Sequence, residues 1–174
     1  MQTLKLSFSV LLIIFVSQHS FGQDFPGLDK SPADISYFPT RGAERTSRVI
    51  YSRPQKKGRK VFGSLVPFGK VWRAGANEAT EITFYKDVQV GGQSVSAGSY
   101  ALFIIPNEQS WTIVLNSALH QWGAYSYDKS KDVVRVDAKV QKAKSTIESF
   151  GIKFSGSGDL MIGWDDTYVS VPIK

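Results

Sequence analysis

An aromatic ring, a cation, an amide, a carboxylate and a hydroxyl fall within nine residues of this chain, as Trp72, Arg73, Asn77, Glu78 and Thr80. Arg73 can fork onto a carboxylate, phosphate or sulfate through two parallel hydrogen bonds. Asn77 both donates and accepts, Glu78 has the chemistry of a general acid or base, and Trp72 offers a face for a sugar or other flat ligand. Gly75 and Ala76 would let a ligand approach the backbone. The alternative is a tight loop in which Arg73 and Glu78 pair with each other or cap backbone groups while Trp72 joins the core.

A second cluster runs from Trp122 to Asp128 (WGAYSYD), preceded by His120 and Gln121. Trp122, Tyr125 and Tyr127 around Gly123 read as a stacking platform, and His120 is a type that titrates near neutrality. The competing reading is an aromatic plug over one end of the fold, with tyrosine hydroxyls bonded at its rim. Arg53, at a strand end before Pro54, is placed to help line the first site.

Several chemistries are excluded. The chain has no cysteine, which removes thiol nucleophiles, disulfides and cysteine metal ligands. Its two histidines are His19 and His120; once a leader carrying His19 is set aside, no multi-histidine metal centre remains. No phosphate loop, dinucleotide fingerprint or nucleophile elbow occurs, so no cofactor and no metal is expected. Asp165 and Asp166 read as turn residues and lack the regular oxygen donors of a calcium loop. Glu78 can meet Glu148, Asp128 or Asp132 only through the fold. Lys56, Lys57, Arg59 and Lys60 read as a solvated loop, and no nucleic-acid partner is implied.

The elements that must position these residues follow a leader. Lys5, the nine-residue apolar run Phe8 to Val16, and small Ser20 and Gly22 before Gln23 describe a secretory signal peptide over residues 1–22. The apolar run is shorter than the roughly 20 residues of a membrane span, so no anchor is expected after cleavage. Losing Lys5, the one charged residue of the leader, lowers the formal charge from +6 to +5. Residues 23–46 carry Pro26, Pro32 and Pro39 and read as an extended lead-in.

Residues 47–174 then read as a single β-domain. Strands are expected at Ser47 to Arg53, Glu81 to Tyr85, on either side of Gly91 and Gly92, at Ser99 to Ile105, Trp111 to Asn116 and Asp132 to Val140, and around Phe150, Leu160 and Val169. A short one is expected at Arg59 to Phe62. Ser99 to Ile105 and Trp111 to Asn116 are apolar on both alternations, so both faces should be covered. Helix is confined to a turn or two at Ser117 to Tyr127. The whole is an all-β fold, an antiparallel β-sandwich or flattened barrel of about nine or ten short strands.

Tyr51 to Pro54, Lys57 to Arg59, Phe62-Gly63, Leu65 to Pro67, Val71 to Arg73, Gly75 to Thr80, Ala97-Gly98 with Tyr100, Pro106, Trp111-Thr112, Asn116, Trp122 to Tyr127, and Asp132 with Arg135 together resemble the exported bacterial family labelled domain of unknown function 2911. The resemblance implies a mostly β fold and export in a Gram-negative bacterium, to the periplasm or beyond. It implies no activity and assigns no catalytic residue. Three readings follow: a binding module for a glycan or other polar or anionic envelope ligand, a hydrolase using Glu78 with Arg73 stabilising negative charge, and a structural envelope protein.

Overall fold

The computed structural model describes residues 25–42 and 44–174, so the expected signal peptide lies outside the described residues. Ten strands follow one another: β1 (Ala33–Phe38), β2 (Ser47–Ser52), β3 (Thr80–Phe84), β4 (Val88–Val90), β5 (Gln93–Val95), β6 (Gly98–Pro106), β7 (Ser110–Asn116), β8 (Asp132–Lys139), β9 (Gln141–Phe154) and β10 (Leu160–Val171). Six form one antiparallel sheet in the order β1-β2-β3-β6-β7-β8, β9 pairs with β10 as a second layer, and β4 pairs with β5. The sheet keeps two open edges, β1 and β8, so the architecture is a sandwich and the flattened-barrel alternative falls. Among the described residues no helix is long and apolar enough to cross a membrane.

Strand alternation places the core between the layers. Val49, Ile82, Leu102, Ile104, Ile113 and Leu115 project from the six-stranded sheet onto Phe150, Ile152, Leu160, Ile162, Trp164 and Val169 of the hairpin, all buried. β6 and β7 are apolar on both faces, as their sequences require. Their outer side, carrying Ala101, Phe103 and Val114, is covered by Ala124 and Tyr127 of the β7–β8 connection. The cover is a loop, not a second sheet. The β4–β5 turn uses Gly91 and Gly92 at φ 56° and 87°, the left-handed pair of a primed hairpin turn, and a side chain at Gly91 would collide with Val136.

Four expectations need correction. Part of the lead-in, Ala33–Phe38, is a strand registered on β2 from Ala33↔Ser52 to Phe38↔Ser47; as an edge strand it needs no strong apolar pattern. Arg59 to Phe62 is not a strand, because Gly63 (φ 79°) turns the chain and leaves one bridge between Phe62 and Val66. Ser117 to Tyr127 forms no helix, since its backbone groups bond elsewhere; a single 3-10 turn follows at Lys129–Lys131, with Asp128 accepting from the Ser130 N–H. Asp165 and Asp166 lie inside β10, where Asp165 (φ 59°) sits at a register shift and its carboxylate is 3.4 Å from Lys56 Nζ. An aspartate tolerates the left-handed backbone that such a bulge requires.

Candidate functional site

The first cluster folds largely as a brace. Trp72 extends the β6 ladder beyond the end of β3, its N–H and carbonyl each bonded to Ile104 at 2.8 Å. Its side chain therefore enters the core, only 9% exposed, stacked on Trp164 with centroids 5.8 Å apart and edge-on to Phe150 at 5.0 Å. The indole N–H donates to the Gly75 carbonyl at 3.2 Å. Trp72 is thus no ligand platform. The approach that Gly75 permits is that of the chain itself, because a Cβ there would lie 2.9 Å from the Ser52 carbonyl. Thr80, fully buried, donates from Oγ1 to the Ala74 carbonyl at 2.6 Å and from its backbone N–H to the Arg73 carbonyl at 3.1 Å. Those bonds close the loop.

Arg73 and Glu78 do not pair: among the described residues no ion pair joins them. Arg73 is half-buried, and its Nε is enclosed without a hydrogen-bond partner among the described residues. Asn77 takes the left-handed backbone (φ 58°) and donates from Nδ2 to Asp29 Oδ1 at 3.2 Å. The Ser31 backbone N–H, with this amide second, holds the Asp29 carboxyl below its usual range. Glu78 remains exposed.

What keeps Glu78 outward is the second cluster. The Ala79 N–H donates to the Gln121 carbonyl at 2.8 Å, the Gly123 N–H donates to the Asn77 carbonyl at 3.0 Å, and Glu78 and Trp122 form an antiparallel bridge. Residues opposed in such a bridge project to the same side. The two segments, distant in sequence, thereby frame a pocket of about 300 Å³ on the outer face, lined by Ile50, Ser52, Glu78, Glu81 and His120 among others. His120 (φ 58°) turns back onto β3: its backbone N–H donates to Glu81 Oε1 at 2.9 Å and its Nδ1 lies 3.2 Å from the same oxygen. Among the described residues no three His, Asp or Glu side chains gather closely enough to hold a metal ion.

The aromatic residues of this segment divide. Trp122 is 61% and Tyr125 86% exposed, and the Tyr125 ring lies over Gly123, where a Cβ would come within 2.8 Å of it. Tyr127 turns inward, edge-on to Phe103 at 5.1 Å. Its hydroxyl donates to Asp132 Oδ2 at 2.6 Å, and Arg135 donates to both oxygens. Burial first, then the Asp132 carboxylate, pushes the phenol up to about 12. The plug reading describes Tyr127, not its neighbours.

Arg53 lies elsewhere. Its Nη1 is 3.0 Å from Asp34 Oδ2 and its Nε donates to the Phe150 carbonyl at 3.0 Å, which places it on a larger cavity of about 840 Å³ between β1 and the β9–β10 hairpin. Of the eight sequence candidates, then, Glu78 and Trp122 meet beside Tyr125, whereas Trp72, Arg73, Asn77 and Thr80 build the loop and Arg53 faces another site. Glu81 was missed, although its alternation against inward Thr80, Ile82 and Phe84 already points it outward.

A family model described as a protein of unknown function (DUF2911) matches residues 33–173. No curated protein and no solved structure matches the chain.

Proposed function

The chain belongs to this DUF2911 family of unknown function, and on that premise we propose that it is a binding module for a polyhydroxylated ligand of the glycan type, held at the outer-face pocket. The observation that carries the reading is the meeting of Glu78, Glu81 and His120 in one pocket, with exposed Trp122 bridged to Glu78. Carboxylates accept hydrogen bonds from vicinal hydroxyls, imidazole donates or accepts, and an exposed indole face suits the apolar face of a sugar ring. Two acids and no Lys or Arg line the pocket, so it favours neutral or amino sugars over anions. Export through the expected signal segment 1–22 would put such ligands within reach, in the periplasm or outside the cell.

The test is titration calorimetry of the mature chain with oligomers of N-acetylglucosamine and of neutral hexoses. Binding should weaken about tenfold or more, about 1.4 kcal/mol, in Trp122→Ala and in Glu78→Gln with Glu81→Gln, while the melting temperature stays put. Binding that ignores these changes, or no binding to any oligomer, removes the reading.

A second reading, glycoside hydrolysis, is favoured by one observation: Glu78 is open and shares its pocket with a second carboxylate and with His120. Two carboxyl groups are what most such enzymes use. The same titrations, followed for reducing ends, separate the two, since turnover abolished by Glu78→Gln marks an enzyme and intact oligomers mark a binding module.

A further inference from the structure

The cavity between β1 and the β9–β10 hairpin is built by an irregularity in the pairing of the two hairpin strands. On β10, Gly163, Asp165 and Thr167 are successive pairing positions, but their partners on β9 are Gly151, Ile147 and Lys142. Each advance of two residues on one strand is met by four and then five on the other, so β9 arches away from its partner. Bulges of this kind re-aim side chains and interrupt pairing. Here the arch carries Ala143, Lys144 and Ser145 onto the cavity wall. Gly151 and Gly163 face each other in register and both line the cavity; glycine within a strand marks a place where something else comes close to the backbone. Ile147 packs against Gly163, where a Cβ would lie 2.8 Å from its Cδ1, but a Cβ at Gly151 would meet nothing nearer than the Ser149 carbonyl at 3.9 Å. Among the described residues nothing fills the space above Gly151.

The lining has two characters. Ile35, Ile147 and Met161 supply apolar surface. Among the described residues the charged groups are Arg53, Lys144 and Lys153 against Asp34 alone, so the site is net positive, the reverse of the outer-face pocket. Arg53 is held from two sides by Asp34 and the Phe150 carbonyl, which fixes the guanidinium before any ligand arrives and lowers the entropy cost of using it. A volume of about 840 Å³ falls within the range of small-molecule sites, roughly 300–1,000 Å³.

We propose that this cavity binds an anionic amphiphile, a carboxylate or phosphate head group on an apolar chain, with the head at Arg53, Lys144 and Lys153 and the chain along Ile35, Ile147 and Met161. The site shares only Tyr51 with the lining of the outer-face pocket, and either can fail without the other. The experiment is titration of the mature chain, below micelle-forming concentrations, with dodecanoate, dodecyl phosphate and the uncharged analogue dodecanol. Dodecanoate, dodecyl phosphate or both should bind, and dodecanol at least about tenfold more weakly; whichever anion is the tighter identifies the head group. Gly151→Leu, which places a side chain in open space, should abolish binding while keeping the wild-type melting temperature. Lys144→Glu with Lys153→Glu, both exposed and so harmless to the fold, should remove the preference for the anions over dodecanol. Equal affinity for all three probes, no binding of either anion, or undiminished binding in the folded Lys144→Glu, Lys153→Glu variant overturns the proposal. Oligosaccharide binding should be unchanged in these variants.

Discussion

The two sides of the six-stranded sheet are finished differently. The inner side receives a second layer, the β9–β10 hairpin, joined in one buried cluster by Val61, Phe62 and Val66 and by the valines of β4 and β5. Among the described residues the outer side is covered only over β6 and β7, by the connection that ends in Tyr127, leaving the faces of β2 and β3 open where Glu78, Glu81 and His120 collect. Trp72 and Trp122 come from comparable sequence settings, each within three residues of a glycine and near polar groups, yet one is 9% and the other 61% exposed. Residue type did not decide their fates. The presence or absence of an opposing layer did.

The comparison breaks first at Trp72. Its replacement by Ala removes an indole packed on Trp164, Phe150 and Phe62 and should cost about 3–5 kcal/mol, read from urea unfolding; a loss below about 1 kcal/mol would mean the inner side is not the close-packed layer described. A smaller effect is expected from Tyr127→Phe, about 1–2 kcal/mol for a part-buried hydrogen bond to a charged acceptor. This variant also carries a pH signature. The folded phenol is raised from 10.0 to about 12, so its contribution is complete below about pH 10 and is lost as pH climbs from about 10 to about 12, where only the unfolded chain ionises. Tyr127→Phe should flatten that part of the stability profile, and an unchanged slope would show that the phenol is not held neutral by the fold. The smallest effect belongs to Trp122→Ala, within about 0.5 kcal/mol of wild type in the same urea series. A large loss there would place Trp122 among the structural residues and erase the contrast with Trp72.

The sheet was legible because its strands alternate. Val49 with Tyr51, Ile82 with Phe84, and Val134 with Ala138 each advertise an inward row, and the strands carrying them begin and end within a residue or so of expectation. β1 left no such trace, since at an edge its Asp34 and Ser36 lie on the side that meets Arg53 and the cavity instead of an apolar core. The first half of β9 is equally silent, because arching out of the ladder leaves most of Gln141 to Ser149 exposed. The site was legible in parts but not in assembly. Glu78 and His120 stood out by type, but they share a pocket only through the bridge to Trp122, a pairing across more than forty residues for which local sequence holds no signal. The larger cavity had a signal that went unread, the isolated Gly151 and Gly163 inside strand patterns.

The Tyr51 hydroxyl bonded to the Ile152 carbonyl at 3.1 Å spans 101 positions of chain, and it bears on the route to the fold. Strands β2 to β8 pair neighbour with neighbour or across modest loops, so the sheet can assemble progressively along the chain. Its inner face is met early at one end, where Phe62 packs on Trp72 and Trp111, but the rest of its cover arrives with the final hairpin. Closing so long a loop carries an entropic cost that precedes the reward of burial, the condition under which folding is slow. Docking the last two strands therefore closes the longest loops of the fold, and until then much of an apolar sheet stands uncovered.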